Sequence, residues 1–200
     1  GKYQEKPAFP FTPGLEIAGT VVACGKAVQG FSKGQRVMAV VGQGGFAEEA
    51  VAEAATVFPI PDQMPFTIAA GFPVAYGTSH GALAWRAALQ PGETLLVHGA
   101  AGGVGLTAVE IGKAMGARVI ATASTTAKLE LAIAHGADDG INSRTEDIRT
   151  RVKELTDGRG ADVVYDPVGG AGFDASLRAT AWGGRILVIG FASGDVPQIP

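Results

Sequence analysis

The sequence predicts an α/β chain in which a doubly wound parallel sheet follows a smaller, incomplete β domain. Three observations carry that expectation. From residue 94 to residue 191, strand-like and helix-like segments alternate at lengths that suit right-handed crossovers. The apolar run Thr94-Leu95-Leu96-Val97 enters a tight glycine turn, His98-Gly99-Ala100-Ala101-Gly102-Gly103-Val104-Gly105, that opens a helix. Before residue 70 the chain reads as short strands separated by glycine turns.

In chain order, Leu15 to Gly25 is strand-like, Gly30 to Arg36 is a turn, and Val37 to Val41 is a second strand. Gly44-Gly45-Phe46-Ala47-Glu48-Glu49-Ala50-Val51 and the segment around Val57-Phe58-Pro59-Ile60-Pro61 follow. That density of strands and turns suits a small barrel or sandwich. From Thr67 to Leu89 the chain is alanine-rich and expected to be helical, interrupted at Pro73 and Gly77. The expected domains are residues 1–70 and 71–200.

Pro91-Gly92 punctuates the start of the alternating region. Its expected elements are strand 94–99, helix 103–115, strand 118–123, helix 126–135, a short strand near 139–142, helix 145–156, strand 161–166, helix 171–181 and strand 185–191. Asp162-Val163-Val164-Tyr165 and Arg185-Ile186-Leu187-Val188-Ile189 have the continuous apolar character of buried central strands. Both ends read as cut. Lys2 to Pro7 opens as if inside a loop, and Gln198-Ile199-Pro200 stops after the fifth strand of a sheet that usually has six. The expectation is a protein with part of its β domain at the front and a missing tail.

Composition narrows the function classes. Apolar residues make up 46% of the 200, enough for a packed core, and the net charge of −3 comes without a basic cluster. Nothing therefore points to nucleic acid or an anionic membrane surface. No apolar run approaches bilayer length and no signal-peptide pattern opens the chain. The single Cys24 rules out an internal disulfide and a cysteine-built structural zinc site, which suits a cytoplasmic location.

The glycine turn carries the chemistry. Strand, glycine turn and helix in that order form the front half of a dinucleotide-binding unit. Val104, Ala108, Ile111 and Met115 share one face of its helix. Glycines let the backbone approach a pyrophosphate, and the helix N-terminus offers free N–H groups and partial positive charge. The pattern reads A-x-G-x-x-G, with Ala100 in the place of the usual first glycine.

The end of the next strand selects the cofactor. A fold that prefers NAD places a carboxylate about 20 residues beyond the turn, on the ribose diol. Here Ala123 is followed by Ser124-Thr125-Thr126-Ala127-Lys128, and no carboxylate precedes Glu130. Hydroxyls and one cation suit a 2′-phosphate, so the expected cofactor is NADP(H). The same residues also suit a plain helix start, with Ser124 or Thr125 as N-cap and Lys128 at the surface.

Metal catalysis is not expected. His80, His98 and His135 are scattered, and Cys24 has no partner at ligand spacing. His98, on the first strand of the motif, reads as a hydrogen-bonded structural residue, and His135, before Gly136, as a cation at a helix end. Gly77-Thr78-Ser79-His80-Gly81 matches the G-x-S-x-G nucleophile pattern of hydrolases but lacks the buried strand and sharp turn that motif needs. Short-chain reductases use a tyrosine with a lysine four residues on. Tyr3, Tyr76 and Tyr165 are followed there by Pro7, His80 and Gly169.

Taken together, the chain resembles the quinone oxidoreductase branch of the medium-chain dehydrogenase/reductase superfamily, the zeta-crystallin group. The likeness spans essentially all 200 residues. It rests on Pro13 to Val21, Gly34-Gln35-Arg36-Val37, Gly44 to Glu48, Val97 to Gly105 and Val164-Tyr165-Asp166-Pro167-Val168-Gly169. Zinc-dependent relatives carry Gly-His-Glu where this chain has Gly14-Leu15-Glu16, so the resemblance implies a zinc-independent enzyme. Glu16 is left either as a remnant of that site or as a strand-end hydrogen-bonding group.

The resemblance implies a GroES-like β domain followed by a Rossmann domain that binds NADPH. Gly102, Gly103 and Val104 would meet the pyrophosphate. Ser124, Thr125 and Lys128 would hold the 2′-phosphate. Ser143 stands where relatives often have a tyrosine, its contact weakened or replaced by Arg144. Val168 would pack near the nicotinamide ribose, and Gly190, Phe191, Ala192 and Ser193 would line the nicotinamide pocket. Thr78 would lie near the nicotinamide and Tyr3 near the substrate opening, which makes Tyr3, Thr78 and Phe191 the substrate-pocket candidates. Phe191 equally suits a plain core position. A homodimer joined sheet edge to sheet edge is also implied, through a strand beyond Pro200.

The implied reaction needs no nucleophile, and no general acid is assigned. The cofactor carries the hydride, and the protein positions it against a quinone or an α,β-unsaturated carbonyl. Two alternatives stand beside this. One is an enoyl-thioester reductase acting on acryloyl-CoA or a trans-2-enoyl-CoA. The other is a protein that binds NADPH without turnover.

Overall fold

The computed structural model describes residues 6–196, so Tyr3 lies outside the described residues. The chain divides into two compact units, Gly1–Gly77 and Thr78–Pro200.

The first unit holds an antiparallel sheet of three strands, β1 (Glu16–Thr20), β2 (Arg36–Val40) and β3 (Val57–Pro59), with β2 in the middle. The strand expected from Leu15 to Gly25 ends at Thr20, and Gly44 to Val51 forms bends instead of a strand. Two glycines lock the first unit together. Gly14, at φ 105°, approaches Gly45 so closely that a β-carbon on it would come within 2.7 Å of the Gly45 Cα. Gly45 N–H donates to the Gly14 carbonyl at 3.0 Å, and Phe46 N–H to that of Pro13 at 2.9 Å.

The alanine-rich stretch breaks at a different place from the one expected. Helix α1 (Phe66–Ala69) is a single turn after Pro65, and α2 (Phe72–His80) begins beyond Gly71. Pro73 falls in the first turn of α2, where a missing N–H costs nothing, and Gly77 is accommodated within it. A π-helical turn, Gly81–Arg86, continues the chain. Glu16 acts as a remote cap for α2: its Oε2 accepts from Val74 N–H at 2.8 Å. That is the strand-end hydrogen-bonding role.

The second unit is a five-stranded parallel sheet covered by helices. Its strands are β4 (Thr94–Val97), β5 (Arg118–Ala123), β6 (Asp139–Asn142), β7 (Ala161–Asp166) and β8 (Thr180–Val188), in the order β6-β5-β4-β7-β8. The connecting helices are α3 (Gly103–Ala114), α4 (Thr126–Ala134), α5 (Ile148–Leu155) and α6 (Ala171–Ala179). Strand alternation sorts the core into two layers. Leu95, Val97, Val119, Ala121, Val163 and Tyr165 pack on one face with Ala108 and Val109 of α3. Leu96, Ile120, Ile141 and Val164 pack on the other with Ile148, Val152 and Ala179. Each fully buried leucine or isoleucine contributes about 2 kcal/mol relative to exposure.

Two boundaries depart from expectation for local reasons. Asp147 caps α5, accepting from Thr150 N–H at 2.8 Å, so the helix starts three residues later than its polar lead-in suggests. Strand β8 starts at Thr180 and carries a register irregularity between its pairings at Ala161 and Val163, with Gly183 at φ 75°. Among the described residues β8 is the last strand of the sheet and is largely half-buried. No helix among the described residues is long and apolar enough to cross a membrane.

Candidate functional site

The order of the second sheet reverses direction between β4 and β7, and ligands of such sheets bind beyond the carboxyl ends of the strands at this switch. The glycine turn after β4 stands there. Gly99 adopts φ 55°, and Gly102 N–H folds back to its carbonyl at 2.8 Å. Gly102 is the N-cap of α3, and no side chain caps the helix, so its first N–H groups are not claimed by one.

The glycines of the turn do different jobs. A β-carbon on Gly105 would lie 2.2 Å from the Gly99 carbonyl oxygen, so this residue lets helix and strand pack. A β-carbon on Gly103 would meet nothing within 4 Å. Gly102 and Gly103 are exposed, and Val104 is half-buried against the core. The exposed pair thus leaves backbone open to a ligand, as a pyrophosphate site requires.

Beyond β5 and β6 lies a polar, open edge. Ser143 N–H donates to the Ala123 carbonyl at 2.9 Å, which sets Ser143 beside Ser124 across the two strand ends. Thr125 is the N-cap of α4, its hydroxyl facing Lys128 N–H at 3.4 Å, so the helix-start role belongs to Thr125. Thr125, Lys128, Ser143 and Arg144 are exposed and Ser124 is half-buried. Among the described residues neither Lys128 nor Arg144 makes an ion pair.

Beyond β7 and β8 the chain is tied to itself. Asp166 Oδ1 accepts from the N–H groups of Val168 and Gly169 at 2.8 and 2.9 Å. Ala192 N–H donates to the Pro167 carbonyl at 3.1 Å, and Ser193 N–H to that of Val168 at 2.9 Å. A β-carbon on Gly99 would come within 3.1 Å of Val168 Cγ2, and one on Gly190 within 3.3 Å of the Pro167 carbonyl. Val168, Gly190, Phe191, Ala192 and Ser193 are therefore gathered around one pair of loops beside the glycine turn. Val168, Gly190 and Phe191 are half-buried, and Ala192 and Ser193 exposed.

Thr78 sits exposed on α2, next to Ser79, which is fully buried. Ser79 Oγ donates to the Val104 carbonyl at 2.9 Å and lies 2.8 Å from both Thr107 Oγ1 and Tyr165 Oη. This network holds the first turn of α3 to β7. It also accounts for the G-x-S-x-G match, since the serine is a buried helix residue engaged by hydroxyls and a carbonyl. Burial pushes the Tyr165 phenol above its ordinary pKa, the Ser79 contact opposing. The buried serine could have been noticed on α2, because a hydroxyl among alanines needs partners.

His98 is equally committed. Its Nδ1 lies 3.0 Å from Thr122 Oγ1 and its Nε2 2.5 Å from Ser176 Oγ. Burial holds the imidazole below its ordinary pKa, with the Asp166 carboxylate opposing. His135 ends α4, its Nδ1 2.6 Å from Glu110 Oε1. His80 meets Trp85 edge-on at 5.8 Å. Among the described residues no group of three His, Cys, Asp or Glu side chains could hold a metal ion.

Comparison with known proteins agrees with this architecture. Residues 1–62 match the family model described as alcohol dehydrogenase GroES-like domain, and residues 103–200 the one described as zinc-binding dehydrogenase. The whole chain is 48% identical to a "quinone oxidoreductase-like protein 2 homolog" of Nematostella vectensis and 42% identical to the "quinone oxidoreductase-like protein 2" of Rattus norvegicus. It spans 55% and 57% of their lengths, just over half of each. Among solved structures, 98% of the chain superposes on 61% of Escherichia coli quinone oxidoreductase complexed with NADPH, at 33% identity and a TM-score of 0.93.

Proposed function

We propose, since the chain belongs to the medium-chain dehydrogenase/reductase superfamily and to its quinone oxidoreductase branch, that it binds NADPH and belongs to an enzyme that reduces a quinone or an α,β-unsaturated carbonyl without zinc. One observation carries the reading: an uncapped helix behind the exposed Gly102 and Gly103, beside a strand end that bears Ser124, Thr125 and Lys128 and no carboxylate.

The described residues fit NADPH. The open space at Gly103 admits a pyrophosphate to the backbone, and the α3 N-terminus supplies N–H groups and partial positive charge. Lys128 supplies a point charge to a 2′-phosphate, with Ser124, Ser143 and Arg144 as further donors. The missing carboxylate matters as much, because it would repel that phosphate. When bound, NADPH supplies the hydride. Val168 and the loop Gly190-Phe191-Ala192-Ser193 wall the nicotinamide half and exclude water from it. Phe191 and Thr78 border the substrate.

Zinc independence rests on Leu15 between Gly14 and Glu16, and on the Glu16 carboxylate being engaged as the cap of α2. The same reading takes the enzyme to be a cytoplasmic homodimer.

NADPH oxidation in excess EDTA, followed with a panel of quinones, enones and a 2-enoyl thioester, tests the proposal on the complete enzyme. Turnover of quinones or simple enones, undiminished by EDTA, is the expected result. Activity abolished by EDTA, or confined to the thioester, contradicts it.

A further inference from the structure

Asp166 ends β7 in an unusual state. It is fully buried, and its Oδ1 serves two backbone N–H groups, those of Val168 and Gly169. Its Oδ2 is buried as well and finds no hydrogen-bond partner among the described residues. His98 is in the neighbouring register position on β4, since Val97 pairs with Tyr165, but both its ring nitrogens face hydroxyls. A buried carboxylate with one unserved oxygen is a poor choice for stability, because a half-satisfied charge costs more than an apolar side chain in the same place. A carboxylate does give stronger, better-directed bonds to N–H donors than a neutral acceptor.

Those two bonds shape the cleft. They bend Pro167-Val168-Gly169 back over the strand end, where the Pro167 and Val168 carbonyls accept from Ala192 and Ser193. The Val168 side chain is thereby pressed towards Gly99. An Asp-held turn after β7 thus fixes both loops on the β7–β8 side of the switch point. A dinucleotide lies across the switch point, pyrophosphate on the glycine turn. With its adenosine half at β5, its nicotinamide half falls over these loops.

We infer that Asp166 is a positioning residue for the nicotinamide half of the nucleotide, acting through the Val168 and Gly169 amides and touching no ligand itself. The inference rests on the NADPH reading above.

Two measurements test it on the 200-residue chain. The first compares affinities for NADPH and for 2′,5′-ADP, which carries the adenosine and 2′-phosphate but no nicotinamide. Asp166→Ala should raise the NADPH Kd about tenfold or more, as expected for two lost charge-assisted bonds, and leave the 2′,5′-ADP Kd within about twofold. Asp166→Asn keeps one acceptor and should recover most of the loss, roughly to within threefold of the parent. The second is amide hydrogen exchange without ligand. In Asp166→Ala the amides of Val168, Gly169, Ala192 and Ser193 should exchange faster, while those of β4 and β5 keep their protection.

Parallel losses for both ligands, or no change for either, overturn the positioning role. Should Asp166→Ala fail to fold, Asp166→Asn still decides: a rise confined to NADPH supports the role, and a parallel or absent change overturns it. Faster exchange with unaltered NADPH affinity means the loops are held by Asp166 but do not meet the nicotinamide. A parent chain that binds neither ligand overturns the NADPH reading instead, and the exchange result still reports the loop.

Discussion

The two sides of the glycine turn are built on opposite principles. On the β5–β6 side the strand ends are open, with exposed hydroxyls and the cations Lys128 and Arg144 without ion-pair partners among the described residues. On the β7–β8 side the loops satisfy their own backbone through Asp166, Ala192 and Ser193. Unpaired cations in water cost little to keep and give binding energy only when an anion arrives. A wall that must be shaped before a flat ring docks has to be held rigid in advance. In the proposed reading, charge recognition and shape recognition thus occupy separate edges of one sheet.

Substitutions in the turn between the two edges should have the largest effects. Gly105→Val forces a β-carbon into the Gly99 carbonyl and should cost roughly 3 kcal/mol or more, read as a loss of thermal stability. Gly103→Val meets open space and should leave stability within about 0.5 kcal/mol, yet raise the Kd of NADPH and NADH alike by about thirtyfold, near 2 kcal/mol. Unchanged nucleotide affinity in Gly103→Val would reduce the motif to a packing turn.

The β5–β6 edge gives a smaller, selective effect. Lys128→Ala should weaken NADPH about tenfold while NADH changes less than about twofold. Equal losses for the two nucleotides would remove Lys128 from 2′-phosphate recognition.

The smallest effect concerns His98 beneath the turn. Burial lowers its pKa in the folded chain, whereas the unfolded chain takes up its proton at about pH 6.5. The unfolded state therefore binds more protons below that pH, and stability present above it is lost as pH falls towards the folded pKa. The urea midpoint should be lower at pH 5.5 than at pH 7.5, and His98→Gln should narrow that difference. A gap of the same size in His98→Gln would assign the pH dependence to other groups.

The sheet was legible where one signal dominated. β5 and β7 span the residues their apolar runs indicate, because a strand buried on both faces leaves no ambiguity of period. The glycine turn was legible because two of its positions, Gly99 and Gly105, leave little room for a side chain. The irregularity within β8 was not legible, because it has no local signature beyond the glycines. Among the candidate site residues, Gly102, Gly103 and Lys128 follow from motif position. Ser79 and Asp166 do not, because their partners lie 25 to 86 residues away or depend on a turn that forms only once β7 is packed. Asp-Pro-Val-Gly after a buried strand was nonetheless a turn signature that could have pointed to Asp166.

Titration of the chain with NADPH and with NADH, following nucleotide fluorescence in excess EDTA, tests the central claim most directly. Saturable NADPH binding at least about tenfold tighter than NADH, indifferent to EDTA, is the predicted result. Equal affinity for the two nucleotides, or no binding of either, would contradict it.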